Sequence, residues 1–123
     1  MHILSRRLRS FHCAFAGLGH VIRTQRNAQI HTAATAAVIA LGVGLSLSAR
    51  DWALIAAAIG AVWAAEIFNT AIEALVDLVS PGPHPLAGIA KDCAAAAVLI
   101  TAITAVVIGL LVLGPPLIKV VHP

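Results

Sequence analysis

The 123-residue sequence has no tyrosine, one methionine, two cysteines and few charges. Charged residues make up 11%, far below the roughly 25% of an ordinary soluble domain. A chain so poor in charge cannot cover a water-facing surface of its own. Five acidic side chains against eight Lys and Arg leave a formal charge of +3. That excess is too small for a nucleic-acid-binding face, so no nucleic acid partner is expected. Cys13 and Cys93 lie in very different settings, so no disulfide framework is readable. The phosphate-binding pattern G-x-x-x-x-G-K-[ST], the dinucleotide pattern G-x-G-x-x-G and the zinc pattern H-E-x-x-H are all missing. Six histidines are present without metal-binding spacing. Against these absences stands an apolar fraction of 60%, where soluble domains have roughly 45–50%. Length allows one domain, residues 1–123. The composition excludes a water-soluble globule and a disordered chain, and predicts an all-α integral membrane protein.

Three apolar blocks, residues 30–48, 52–79 and 90–113, each reach the roughly 20 residues that cross a bilayer. The second is longer than a crossing needs. The third is expected to stop at Pro115-Pro116. Between the first two, Ser48-Ala49-Arg50-Asp51 reads as a short turn. Between the last two, three prolines in Pro81-Gly82-Pro83-His84-Pro85 prevent a continuous helix. Three transmembrane helices follow. The N-terminus does not read as a secretory signal, because His12, His20, Arg23 and Arg26 interrupt any apolar stretch after Arg6, Arg7 and Arg9. The chain is therefore expected to be mature from its first residue.

Five arginines precede the first block and Lys91 follows the Pro-rich loop, whereas Arg50 and Lys119 are the cations of the other side. This bias predicts a multi-pass protein with a cytoplasmic N-terminus. Residues 1–28 read as an amphipathic surface helix. Leu4, Leu8, Phe11, Phe15, Leu18 and Ile22 form one stripe, and Arg6, Arg9, His12, His20 and Arg23 fall largely opposite. Such a helix is either a topology anchor or part of the working machinery. Small residues, Ala33, Ala34, Ala36, Ala37 and Ala94 to Ala97, allow close helix approach in lipid. Three thin helices enclose little space alone, so an oligomer is expected.

The most informative pattern is Glu66, Asn69, Glu73 and Asp77, at offsets 0, 3, 7 and 11. On an α-helix they share an arc of roughly 80°. A charge at the bilayer centre costs at least about 2.5–3.5 kcal/mol, so an aligned set is either functional or an interhelical network. Asp77 can also simply face water. Lys91 can snorkel or hold a phosphate, and Asp92 can cap the N-terminus of the third span. His31 reads as an interfacial residue at a span start, and Trp52 and Trp63 as interface and packing residues. Residue chemistry alone leaves two readings, a membrane enzyme with a carboxylate site and a proton-relay or transport subunit.

The run from Ala65 to Asp77, with E-x-x-N-[ST]-A-I-E-x-x-x-D at its heart, is followed by His84-Pro85-Leu86-Ala87 and Ala90-Lys91-Asp92. This resembles the prokaryotic diacylglycerol kinase and undecaprenol kinase family over nearly the whole chain, including Phe15, Gly17-Leu18 and Arg26-Asn27. The resemblance implies a homotrimeric kinase of the bacterial inner membrane, with ATP, Mg²⁺ and a lipid alcohol as substrate. It implies Glu66 as general base and Glu73 as metal ligand, with Asn69 between them near the lipid. Gly82, Pro83, His84, Lys91 and Asp92 would contact ATP, more weakly Cys13, and Arg6 would contact the lipid. Gln25 stands where relatives carry a second acidic metal and nucleotide ligand; its amide oxygen can coordinate Mg²⁺ but brings no charge. Gly82-Pro83 replaces a common acidic-aromatic pair. The stretch around Asp77 to Ala97 is nearer the undecaprenol type. An inactive structural relative is the alternative within this family.

Overall fold

The computed structural model describes residues 2–122, with side-chain environments from residue 6 onward. Leu4 of the amphipathic stripe therefore lies outside the described side chains. The chain is all helical: α1 (His2–Thr24), α2 (Arg26–Gly44), α3 (Ala49–Val79) and α4 (Pro85–Val121). α4 packs chiefly on α3, forming a long helical hairpin, and α2 lies against α3. α3 and α4 are the two helices, among the described residues, long and apolar enough to cross a membrane. α2 begins with Arg26, Asn27, Gln29 and His31 and is less apolar.

The expected surface helix ends four residues early, at Thr24 rather than at residue 28. Gln25 takes an extended conformation (φ −100°, ψ 120°) and starts α2. The break is satisfied locally. Thr24 Oγ1 donates to His20 O at 2.9 Å, and Gln29 Nε2 donates to Ile22 O at 3.4 Å, meeting carbonyls that a helix end leaves free.

The connection between α2 and α3 also differs from expectation. Its turn runs through Leu45 to Leu47, and Ala49, Arg50 and Asp51 already form the first turn of α3. Ser48 is the N-cap of a capping box: Asp51 N donates to Ser48 Oγ at 3.2 Å, and Ser48 N donates to Asp51 Oδ2 at 3.3 Å. At the end of α2, Ser46 N donates to Val43 O and Leu47 N to Gly42 O, with Ser46 at φ 53°. This is a Schellman-type C-cap, which turns the chain tightly enough for Trp52 to fold back on α2.

Gly42 is the close-approach point of that turn. A Cβ there would lie 2.8 Å from Trp52 Cη2 and 3.0 Å from Leu47 Cδ1. The rigid indole cannot yield as a flexible side-chain tip would. Gly42→Ala is expected to destabilise the α2–α3 corner by about 1–3 kcal/mol of overpacking, partly offset by alanine's higher helix propensity. A lower unfolding temperature in detergent is the expected readout; an unchanged or raised one contradicts this packing.

Two corrections concern α4. It begins at Pro85 rather than near residue 90. His84 is the N-cap, its Nδ1 accepting from Leu86 N at 3.2 Å, and Pro85 occupies the first turn, where a missing N–H costs nothing. Asp92 therefore lies beyond the first turn and does not cap the helix. Nor does α4 stop at the proline pair: Pro115 and Pro116 lie inside it and it runs to Val121. Proline's fixed φ near −65° is helical, so the path survives although two backbone donors are lost.

The packing seam runs along α3 through Ile55, Ala58, Val62, Glu66 and Asn69, a spacing of three and four. Ala94 and Val98 of α4, the helix packed on α3, are buried as well, as is Ala28 of α2. Outside the seam, large apolar side chains stand open, including Phe68, Leu78, Leu110 and Leu111. Apolar surface this extensive suits lipid or partner chains rather than water.

Candidate active site

The acidic stripe continues the packing seam of α3. Glu66 stands at mid-helix, 1% exposed, and it is the one large side chain so fully buried among the described residues. It enters the interior because its helical register is that of Val62 and Ile55; the α-helical period leaves it no other direction. Thr70 Oγ1 donates to Glu66 O at 2.9 Å, so the threonine satisfies backbone and leaves the carboxylate free. Its Oε2 has no hydrogen-bond partner.

One turn further along α3, Asn69 is buried and donates from Nδ2 to Glu73 Oε1 at 3.2 Å. Asn69 Oδ1 is also without a partner. Asn69 and Glu73 open onto a cleft of about 300 Å³, shared with Asn27 and His31 of α2 and with Ala95 and Val98 of α4. Ala95 and Ala102 of α4, with their short side chains, help leave the space open. Among the described residues no three His, Cys, Asp or Glu converge as a metal cage. The cleft instead offers hard oxygen donors, the Glu73 carboxylate and the orphaned Asn69 amide oxygen. That donor set fits a Mg²⁺ held by one or two carboxylates together with substrate phosphates.

A second cleft, about 540 Å³, lies where α3 passes into α4 and includes Asp77, Ser80, Gly82, Pro83, His84 and Lys91. Lys91 Nζ donates to Asp77 Oδ1 at 2.5 Å. Asp77 is exposed, and Lys91 is its partner across the hairpin. The Pro-rich loop thus gathers Gly82, Pro83, His84 and Lys91, which were expected to act together, around one opening.

Other expected residues stand apart. Arg6 and Cys13 are exposed on α1, and Asp92 is exposed on α4. Gln25 is half-buried at the α1–α2 break; its Nε2 reaches Thr24 Oγ1 at 3.5 Å, and it lines neither cleft. Two residues not expected at the site also stand here: His31, whose Nε2 lies 3.8 Å from Glu66 Oε2, and Asn27, which lines the smaller cleft. The signal available was a polar line at spacing four on α2, Asn27, His31 and Thr35. Thr35 accepts from Trp63 Nε1 at 3.3 Å, which locks α2 onto α3.

Comparison with known proteins gives the family of the chain. The chain is 44% identical over 114 residues to the undecaprenol kinase of Bacillus subtilis, covering 93% of each. It is 47% identical over 111 residues to the diacylglycerol kinase of Synechocystis, covering 89% of this chain and 63% of that relative. The diacylglycerol kinase of Escherichia coli is 39% identical over 69 residues, 56% of this chain and 57% of the relative. A model of the family described as prokaryotic diacylglycerol kinase matches residues 12–113, which take in α2, α3, both clefts and most of α4. The chain with its buried Glu66 and paired Asn69 and Glu73 belongs to the prokaryotic diacylglycerol kinase family of lipid kinases.

Proposed function

We propose that this protein uses ATP to phosphorylate a membrane lipid alcohol, diacylglycerol or undecaprenol, at the cytoplasmic face of the bacterial inner membrane. The observation that carries this reading is the buried Glu66 with an unpaired oxygen, about two helical turns or roughly 10 Å from Glu73. A base at lipid depth and a phosphate site nearer water are the two ends that transfer to a lipid hydroxyl requires. Glu66 takes the proton of the acceptor hydroxyl. Glu73 and the Asn69 amide oxygen would hold the Mg²⁺ that accompanies ATP; Gln25 lies outside both clefts and would reach that metal only by a movement of the α1–α2 break, bringing an uncharged amide oxygen. When bound, the metal neutralises charge on the phosphates. Lys91 leaves Asp77 to pair with phosphate, while Gly82, Pro83 and His84 bound the nucleotide side and Asp92, next to Lys91 in sequence but outside the cleft lining, would contact the nucleotide from α4. Arg6 would meet the lipid headgroup region and Cys13 would approach the nucleotide from α1, both standing outside the two clefts of this chain.

In this reading α2 is the third crossing, α1 lies along the cytoplasmic surface, the whole chain is one kinase domain and three copies form the working unit. Cys13 shares the polar face of α1 with Arg6 and Arg9. In a Cys93→Ser variant, an impermeant thiol reagent is expected to label Cys13 from the cytoplasmic side; labelling of intact cells from outside contradicts the orientation. Between the two lipids, the 93% mutual coverage with an undecaprenol kinase favours undecaprenol. The test is a radiolabelled ATP assay of the purified protein with each lipid in matched micelles. Lipid-dependent transfer is expected, faster to undecaprenol. ATP consumption indifferent to lipid contradicts the function.

A further inference from the structure

We propose that His31 is a positioning residue for Glu66, its imidazole Nε2–H holding Oε2 so that the carboxylate stays aimed at the acceptor hydroxyl. The inference rests on the reading of Glu66 as the base. Three buried side-chain atoms in the described residues lack a partner: His31 Nε2, Glu66 Oε2 and Asn69 Oδ1. Orphaned buried polar atoms cost about 1–3 kcal/mol each, so such atoms gathered together mark a contact that is completed in use. Asn69 Oδ1 opens toward the phosphate end. The other two face each other, 3.8 Å apart, with Glu66 1% and His31 16% exposed. A shift of the imidazole by about 1 Å brings them within hydrogen-bond distance.

The helix bearing His31 is not free to drift. One turn beyond it Thr35 accepts from Trp63 Nε1, three residues before Glu66, and one turn before it Ala28 is fully buried. The Thr35–Trp63 bond thus fixes the α2–α3 register one turn from the pair. A glutamate side chain has three torsions, and without a hydrogen-bond partner only packing selects among their staggered settings. Tethering one oxygen leaves the other to receive the hydroxyl proton. A misplacement on the order of 1 Å at a reacting group costs about 10²-fold in rate.

The test is a double-mutant cycle in the full-length protein, reading turnover, the KM for Mg-ATP and nucleotide affinity. His31→Ala is expected to lower turnover by about 10²-fold with the KM for Mg-ATP nearly unchanged. His31→Gln, which retains a donor, is expected to recover at least about tenfold of that loss. His31→Leu fills the space without a donor and should match His31→Ala, so a cavity effect is separated from a lost tether. In a Glu66→Gln background His31→Ala should cost nothing further, because a residue acting through Glu66 has nothing left to position. Equal losses in both backgrounds, or full turnover in His31→Leu, overturn the proposal. Full turnover in Glu66→Gln alone instead overturns the assignment of the base, a separate and distinguishable failure.

Discussion

Glu66→Gln is expected to lower lipid phosphorylation by about 10²–10⁴-fold, the loss typical of a missing acid–base group, while nucleotide binding persists. The amide keeps the shape of the side chain and fits the same seam between Val62, Asn69 and α4. It cannot accept the acceptor proton as a carboxylate does. Folding should be retained, since no described hydrogen bond depends on the Glu66 carboxylate: Thr70 bonds the backbone carbonyl of Glu66. Glu66 also does not line the cleft that Asn69 and Glu73 open onto. Loss of nucleotide affinity equal to the loss of turnover would mean that Glu66 serves the phosphate end.

Glu73→Gln is expected to act on the other half of the reaction. Glu73 receives Asn69 Nδ2 at 3.2 Å and faces the cleft, half-exposed. Glutamine preserves an oxygen for Asn69 and removes the only carboxylate of the cleft lining. The remaining oxygen ligands, the amides of Asn27 and Asn69 and the new glutamine, carry no negative charge for a hard divalent cation. Metal-dependent ATP affinity should fall by at least about 10–100-fold, as for disrupted metal environments elsewhere. Metal-free nucleotide binding should change far less, because Lys91 and the 82–84 loop remain. A KM for Mg-ATP unmoved by Glu73→Gln contradicts the metal assignment.

The stripe that carries both predictions was legible in the sequence because helical register is a property of one segment. Glu66, Asn69, Glu73 and Asp77 share a face whatever surrounds them, and the apolar positions before them continue the same face. Helix ends were less legible. Pro85 reads as a helix breaker from composition, yet at the first helical position its missing donor is harmless, and His84 supplies the cap. Pro115 and Pro116 likewise lose donors without losing helical φ. The pairing of His31 was less legible for a different reason. Its place beside Glu66 arises from packing α2 on α3 through Gly42 and the Trp63–Thr35 bond, and the polar line of Asn27, His31 and Thr35 marks the face without naming its partner. Gln25 marks the opposite case: a position singled out by family resemblance that the folded chain leaves outside both clefts.

The division of labour along α3 is tested most directly by titrating Mg-ATP into Glu66→Gln and Glu73→Gln beside the unaltered protein, with lipid phosphorylation measured on the same preparations. Glu66→Gln should bind Mg-ATP with near-normal affinity and transfer almost no phosphate, and Glu73→Gln should fail at binding itself. Normal transfer by Glu66→Gln, or the same binding defect in both variants, would contradict a base at lipid depth served by a separate metal–phosphate site.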